Sequence, residues 1–574
     1  MPGAFPLRLI LSVITSPIAG LRAARRLPAP ARLEAQGRPA AGPRALRVTG
    51  ALLGLAAIGA YLAIALARLS YPFTVEVLES NSLIEVHRIL AGQSLYAPPG
   101  VSYVPDGYPP LYFGVSAAVA SVLGQSYLSL RLVSLAASLA CFALLARLVQ
   151  RETASACAGV AAAGVLAATY FAAGKWFDVA RVDSLFLAFS VAALYAVRWM
   201  RRTRGAIAAG LLLAAAFLTK QTALAEGAAV LVAVAAGPRR RLAVPAALTY
   251  GTVVGGSTLA LGLASHGWYV YYVFEQMREN RFILGAIPRF WAGYLLPTLG
   301  LACCAVVLGA RRMPPVLLAG CGALVVEGCA ALVHAGSNVN DLLPVYLVVA
   351  LLAGLALGGQ PRPWLAARLD RLAAARGVNW RPGQAGRWAA AAAGSLVIAQ
   401  LAVLMAGFTP AQAIPPAGDR AVGLRLVMAV RELGGTVAIP ADPGLALTAG
   451  LPAVEDQIAA ADVLHGNNGA AVATFTGSVA AAVAARRFSA IITELPADLR
   501  GFPADLPHYY QVCPQMPLAG VPPAPFNPGP GGEGHSVSVW VPAGGQSCAA
   551  AIRALEGPDS PARPSVLADQ EERK

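Results

Sequence analysis

Three carboxylates follow closely on an apolar run. Val48 to Leu69 could cross a bilayer, and Glu76, Glu79 and Glu85 come directly after it, with His87 and Arg88 close behind. A carboxylate within hydrogen-bond reach can take a proton from a hydroxyl. Arg can grip a phosphate with two parallel N–H groups. Groups of the same mixed kind recur in short segments between later apolar runs: Tyr96, Asp106 and Tyr108; Lys175, Asp178, Arg181 and Asp183; Lys220; Arg278 and Arg281; His334 and Asn338. Such residues suit either solvated loops or an active site at the water–lipid boundary.

Each residue alone has a plain structural reading. Glu76 and Glu85 read as solvated loop residues. Arg181 and Asp183 read as a local ion pair, worth about 0–1 kcal/mol if exposed. Lys220 can snorkel to the interface, and Asn338 and Asn340 can cap a helix. His87 and His334 read as hydrogen-bonded structural residues.

The elements that must position these groups are membrane helices. Hydrophobic residues make up 57% of the 574-residue chain and charged ones 13%. A soluble domain carries roughly 25% charged residues. Spans of about 20 apolar residues are expected near 48–69, 129–149, 156–174, 184–200, 205–219, 221–237, 243–264, 291–309, 314–333, 341–358 and 388–407. Arginines test the order. Numbering the intervening segments alternately puts 25 basic residues on one side and nine on the other. The positive-inside rule then makes the N-terminus cytoplasmic and the C-terminal segment external. All the candidate residues fall on the outer side, within or bordering the loop 70–128 and the later outer segments. The net charge of +15 comes from these separate Arg clusters, not one basic face, which excludes a nucleic-acid partner. Residues 1–47 form a basic cytoplasmic segment, with a surface helix expected within 4–20.

Order along the chain is more telling than any single residue. An acid follows the first span, Gly92 and "GQSLY" come next, then "YPPLY" at 108–112, "RVDSLF" opening the fourth span, and "LTKQTAL" at the following outer turn. This pattern resembles the GT-C-fold glycosyltransferases that use polyprenyl-phosphate sugars, notably the bacterial relatives of protein O-mannosyltransferase and of lipid A aminoarabinose transferase. The resemblance covers roughly residues 48–360. It implies that Glu79 holds the family's first-loop acid position and acts as base. It also matches Asp183 and Lys220 to the family's later Asp and Lys. Many relatives carry Asp-Glu where this chain has Leu78-Glu79, which leaves a divalent metal ion open, with no ligand assigned.

The implied architecture is an all-α polytopic GT-C-like domain at 48–407, of about 11 helices, followed by a small α/β extracytoplasmic domain at 408–556 and a disordered tail at 557–574. The implied activity is transfer of a hexosyl or pentosyl group from a polyprenyl-phosphate donor to an envelope acceptor at a bacterial plasma membrane, by an inverting single displacement. Glu79 and Asp183 are the catalytic candidates. Tyr108, Asp178, Arg181, Lys220, Arg278, Arg281, His334 and Asn338 are the substrate-binding ones. A transporter or flippase of a lipid-linked sugar is the rival. Such proteins often show internal repeats, and none is visible here.

In the external tail, "GTVAIP", "FSAIITEL" and "SVSVWVP" alternate as strands, with a helix expected across "VATFTGSVAAAVAARR". "PLAGVPPAPFNPGPGGEGH" is too rich in Pro and Gly for a regular element. Cys513 and Cys548 lie on the oxidising side, where a disulfide between them is expected.

Overall fold

The structure is a computed structural model that describes residues 44–279, 282–309, 313–334, 337–358, 363–376, 384–493, 496–513, 516–517, 536–544, 548 and 551. The surface helix expected at 4–20, nearly all of the Pro- and Gly-rich loop, Arg281 and the tail from Gly557 lie outside the described residues.

Among the described residues, seven helices are long and apolar enough to cross a membrane: Arg44–Leu69, Tyr127–Thr153, Arg240–Ala264, Ala286–Gly309, Pro315–Leu332, Val339–Gly358 and Gln384–Ala406. The other four expected spans coincide with helices of 13 to 17 residues: Ala156–Ala168, Asp183–Trp199, Thr203–Thr219 and Ala223–Ala235. The chain is thus a multi-pass membrane protein. Its helices approach closely where small residues face each other. Helix α1 (Arg44–Leu69) crosses Ala156–Ala168 at Gly54 and Gly164, where a Cβ on Gly164 would collide with the Gly54 backbone. Small residues at such crossings let backbones meet without a polar group.

The loop at 70–128 is more structured than expected. It contains α2 (Glu79–Leu90) and α3 (Leu111–Leu123). His87 and Arg88 lie in the last turn of α2, complementing the helix dipole, and Gly92, with φ of +68°, closes it in the left-handed region. Pro110 opens α3, and Tyr112 on it donates to Leu130 O at 3.2 Å. Helix α4 (Tyr127–Thr153) starts at a Ser126 cap.

The C-terminal segment forms a small sheet with helices around it. Strands β1 (Val437–Ala438), β2 (Ala490–Thr493), β3 (Tyr510–Val512), β4 (Met516–Pro517) and β5 (Ser536–Pro542) are arranged in the order β1-β2-β5-β3, with β4 also on β5. Only β1 and β2 are parallel. The three strands read from alternation fall on β1, β2 and β5. Cys513 and Cys548 are joined in a disulfide. This unit sits on the loop at 70–128: Ser80 Oγ accepts from Gly444 N (2.6 Å), Thr74 donates to Asp442 (3.2 Å), and Ser478 Oγ accepts from Val101 N (2.8 Å).

Candidate active site

Glu79 stands at the first turn of α2 with no exposure to solvent. Arg131 grips it from α4 with two parallel bonds, Nε to Oε1 at 2.8 Å and Nη2 to Oε2 at 2.6 Å. Val75 N and Ala180 N donate to the same two oxygens at 2.8 and 2.7 Å. Burial raises the Glu79 pKa, but the Arg131 charge and these bonds outweigh it and hold the carboxyl below its ordinary value. Arg131 also donates to the carbonyls of Tyr71 (2.7 Å) and Phe73 (2.6 Å). This geometry lends the expected base role of Glu79 no support. A carboxylate with both oxygens held by four protein donors has no free lone pair aimed at a substrate and is held in its least basic state. It clamps the end of α1, the start of the loop and the 175–182 segment together.

Beside this clamp lies a second group in which Arg181 is not fully satisfied. Arg181 is 2% exposed. Its Nη2 donates to Tyr108 Oη at 3.0 Å, while Nε and Nη1 lack a hydrogen-bond partner among the described residues. Its nearest carboxylate, Asp183, is 3.9 Å from Nε, beyond hydrogen-bond range. The guanidinium is framed by the rings of Tyr108 and Trp176, at 5.2 and 5.1 Å. Asp183 opens the Asp183–Trp199 helix and accepts from Lys220 Nζ (3.1 Å) and Asn340 Nδ2 (3.3 Å). Lys220 also meets Asp341 at 3.5 Å. Gln221 donates to Gly107 O at 2.7 Å, tying this turn to the "YPPLY" segment.

Glu76 is near enough to Arg181 to feel its charge. Its Oε2 accepts from Leu78 N at 3.0 Å. Burial pushes its carboxyl up, Arg181 pulls it down and Glu79 pushes it up again, leaving it at about 7. On α2, Asn81 and Glu85 are one turn apart and share a face. Asn81 donates to Asp106 at 2.7 Å, and Glu85 accepts from Asp106 N at 2.9 Å. Burial raises both Glu85 and Asp106 above the usual carboxylate range. The sequence places Glu76 and Glu85 in solvent by residue type alone; in the structure both are buried.

Tyr108, Arg181, Asp183 and Lys220 therefore meet, as a group spread over three segments that all lie on the side expected to be outside. Other candidates do not join them. Asp178 is taken by a buried pair with Arg68 at 3.0 Å and by Tyr170 Oη, also at 3.0 Å. Asn338 caps the turn at Val339, whose N donates to its side chain at 2.7 Å. Its neighbour Asn340 is the one that reaches Asp183. His334 packs edge-on against Phe282, ring centroids 4.1 Å apart. Arg278 is exposed on the short helix Gln276–Glu279. Arg131 is not among the residues expected from the sequence. The signal for it exists: a lone Arg inside an apolar span marks a buried partner.

Among the described residues, no group of three or more His, Cys, Asp or Glu is arranged to hold a metal ion.

This arrangement of helices has known counterparts. The structure of ArnT from Cupriavidus metallidurans bound to undecaprenyl phosphate aligns with a TM-score of 0.51 at 13% identity, over 84% of this chain and 97% of that one. The apo state of the same protein gives 0.52 at 14% identity, with the same coverage. Archaeal oligosaccharyltransferase AglB from Archaeoglobus fulgidus, in complex with an inhibitory peptide and a dolichol-phosphate, gives 0.44 at 13% identity, over 81% of this chain and 73% of that one. No curated protein sequence matches the chain significantly. The fold of the chain is thus the one seen in the ArnT structures, the GT-C fold. Within it, residues 108–268 match the family described as dolichyl-phosphate-mannose-protein mannosyltransferase.

Proposed function

We propose that the protein is a membrane glycosyltransferase that moves a sugar from a polyprenyl-phosphate donor to an envelope acceptor on the outer side of a bacterial plasma membrane. The observation that carries this reading is Arg181: a buried guanidinium with two N–H edges unpartnered among the described residues, beside the Lys220–Asp183 pair and near Glu76. Buried cations with spare donors fit a phosphate whose negative charge grows as it departs.

The acceptor hydroxyl oxygen attacks the anomeric carbon and forms the new glycosidic bond. The bond from that carbon to the phosphate oxygen breaks, and the lipid phosphate leaves with its electron pair. Arg181 and Lys220 meet the charge on the phosphate. Glu76 takes the proton of the hydroxyl; its value near 7 suits a base working near neutrality. Asp183 and Asn340 are positioning residues that aim Lys220. Attack opposite the leaving group inverts the anomeric centre. The GT-C fold, and the undecaprenyl phosphate bound by ArnT, support the choice of donor.

Purified protein is given undecaprenyl-phosphate-linked radiolabelled sugars and membrane extract as the acceptor source. The expected result is label moved to extract components, with Arg181→Lys strongly impaired because Lys lacks the planar fork. Uptake of intact donor into vesicles without transfer would support the flippase reading instead.

A further inference from the structure

The short helix Pro363–Ala375 lies between two helices long and apolar enough to cross a membrane, Val339–Gly358 and Gln384–Ala406. Residues 359–362 alone separate it from the first, so the chain has no length to carry it far from the bilayer face at which that helix ends. At 13 residues, with charges among them, it does not cross by itself. It packs against Gln384–Ala406. Near the start of that helix Trp388 is 61% exposed and Arg387 is exposed beside it. An exposed Trp at the end of a spanning helix belongs at the headgroup level, and here it marks that level next to the short helix.

The side chains along the short helix sort by face. Among those described, Ala373 is buried, Leu369 and Asp370 are half-buried, and the rest are exposed. Leu372 is 50% exposed. Arg368 is one turn before it and shares its face. Arg376 follows the helix directly, about one turn beyond Leu372, its N donating to Ala373 O at 3.0 Å. Two exposed guanidiniums therefore bracket an exposed leucine. Arg371 adds a third, engaged only by its own helix, Nε to Ala367 O at 3.4 Å. None of the three arginines forms an ion pair among the described residues. Asp370 is two positions from Leu372, on roughly the opposite side of the helix, so no acid offsets the charge on this face. A leucine set between unpaired arginines suits one surface at this level. The apolar side chain enters the acyl boundary, while the guanidiniums stay with the phosphates above it.

We propose that the face formed by Arg368, Leu372 and Arg376 is a binding surface for anionic phospholipid headgroups, which holds this end of the helix bundle to the membrane surface. Charge complementarity selects the lipid: a phosphatidylglycerol headgroup carries a net negative charge that a phosphatidylcholine headgroup lacks, and each arginine near such a surface adds to the attraction. The surface is far along the chain from the residues of the candidate site and acts whether or not the protein transfers sugar.

The test adds phosphatidylglycerol or phosphatidylcholine to purified full-length protein in detergent and counts bound lipid by native mass spectrometry. Wild-type protein should retain phosphatidylglycerol in preference to phosphatidylcholine. Arg368→Gln/Arg376→Gln, at exposed positions, should lower that preference by at least about ten-fold. Leu372→Gln, which leaves the charge unchanged, should weaken it in the same direction and carries the test if the double variant does not fold. Arg420→Gln/Arg425→Gln removes the same charge from exposed positions on the C-terminal unit and should leave the preference as in wild type. Inorganic phosphate in a parallel arm should not displace the lipid at matched concentration. No preference in wild-type protein, a preference kept by both helix variants, an equal fall in the C-terminal control, or displacement by inorganic phosphate would overturn the proposal. A dimer that the helix variants abolish while lipid retention stays constant would also overturn it and assign the face to a second copy of the chain.

Discussion

Changing Glu79 to Gln takes away the negative half of a fully buried pair and leaves the Arg131 charge facing a neutral amide. Breaking a buried pair from one side costs about 3–5 kcal/mol, so Glu79→Gln should lower the thermal unfolding midpoint markedly, and Glu79→Gln/Arg131→Met should recover part of the loss. A normal midpoint in the single variant would remove the clamp. Glu76→Gln should fold normally and lose about 10²–10⁴ in transfer rate, as loss of a general base does. The base must be ionised to accept a proton, so wild-type rate should rise with pH through about 7, and a rise surviving in Glu76→Gln would acquit Glu76. Sequence spacing points to Glu79, whereas the proposed base is Glu76, three residues before it. Glu76 and Glu79 are alike in type, and what separates them is a partner 52 positions away from Glu79, which spacing within the loop does not encode.

At the scale of elements, the apolar runs read from the sequence fall on helices, seven of which among the described residues are long and apolar enough to cross a membrane, because burial in lipid imposes one pattern on every crossing. Helix α3 escapes that pattern. Its run from Leu111 to Leu123 is 13 residues, too short to read as a crossing, so it falls inside the expected loop. Asn338 and Asn340 show a finer limit: both suit a cap by type, and only the turn decides that Asn338 caps while Asn340 reaches Asp183. Asn340→Ala should therefore reduce transfer through a looser Lys220, with Asn338→Ala close to wild type in rate. The reverse ranking would put the amide contact to the site at the wrong residue. The crossing of α1 with Ala156–Ala168 predicts that Gly164→Leu blocks assembly, visible as loss of monodisperse protein in detergent, since the side chain would enter the Gly54 backbone.

For the whole molecule, orientation and docking are separate questions. Alkaline phosphatase fused after Arg420 should be active and fused after Arg202 inactive, if the arginine-rich side is cytoplasmic; the opposite pattern would move every proposed site to the other face. The C-terminal unit is held to the first loop through a boundary crowded with buried acids. Burial raises Glu85, Asp106 and Asp456 above the usual range, and brings Asp442 to about 7 and Glu455 to about 8. In the unfolded chain these groups titrate at ~4. Between that value and about 8 the folded protein therefore holds more protons than the unfolded chain, so unfolding releases protons and stability falls as pH rises. Glu79 has the opposite sign, but its contribution is lost only as pH falls below the ordinary carboxylate value, outside this window. Tryptophan fluorescence on heating should thus give a lower midpoint at pH 8.5 than at pH 5.5, a choice of ~3 pH units that spans the titration. Glu455→Gln, neutral throughout, should flatten part of that slope. A midpoint that holds steady or climbs between the two pH values would mean that the acids at this boundary are ionised in the folded protein, and that the docking of the C-terminal unit does not depend on their protons.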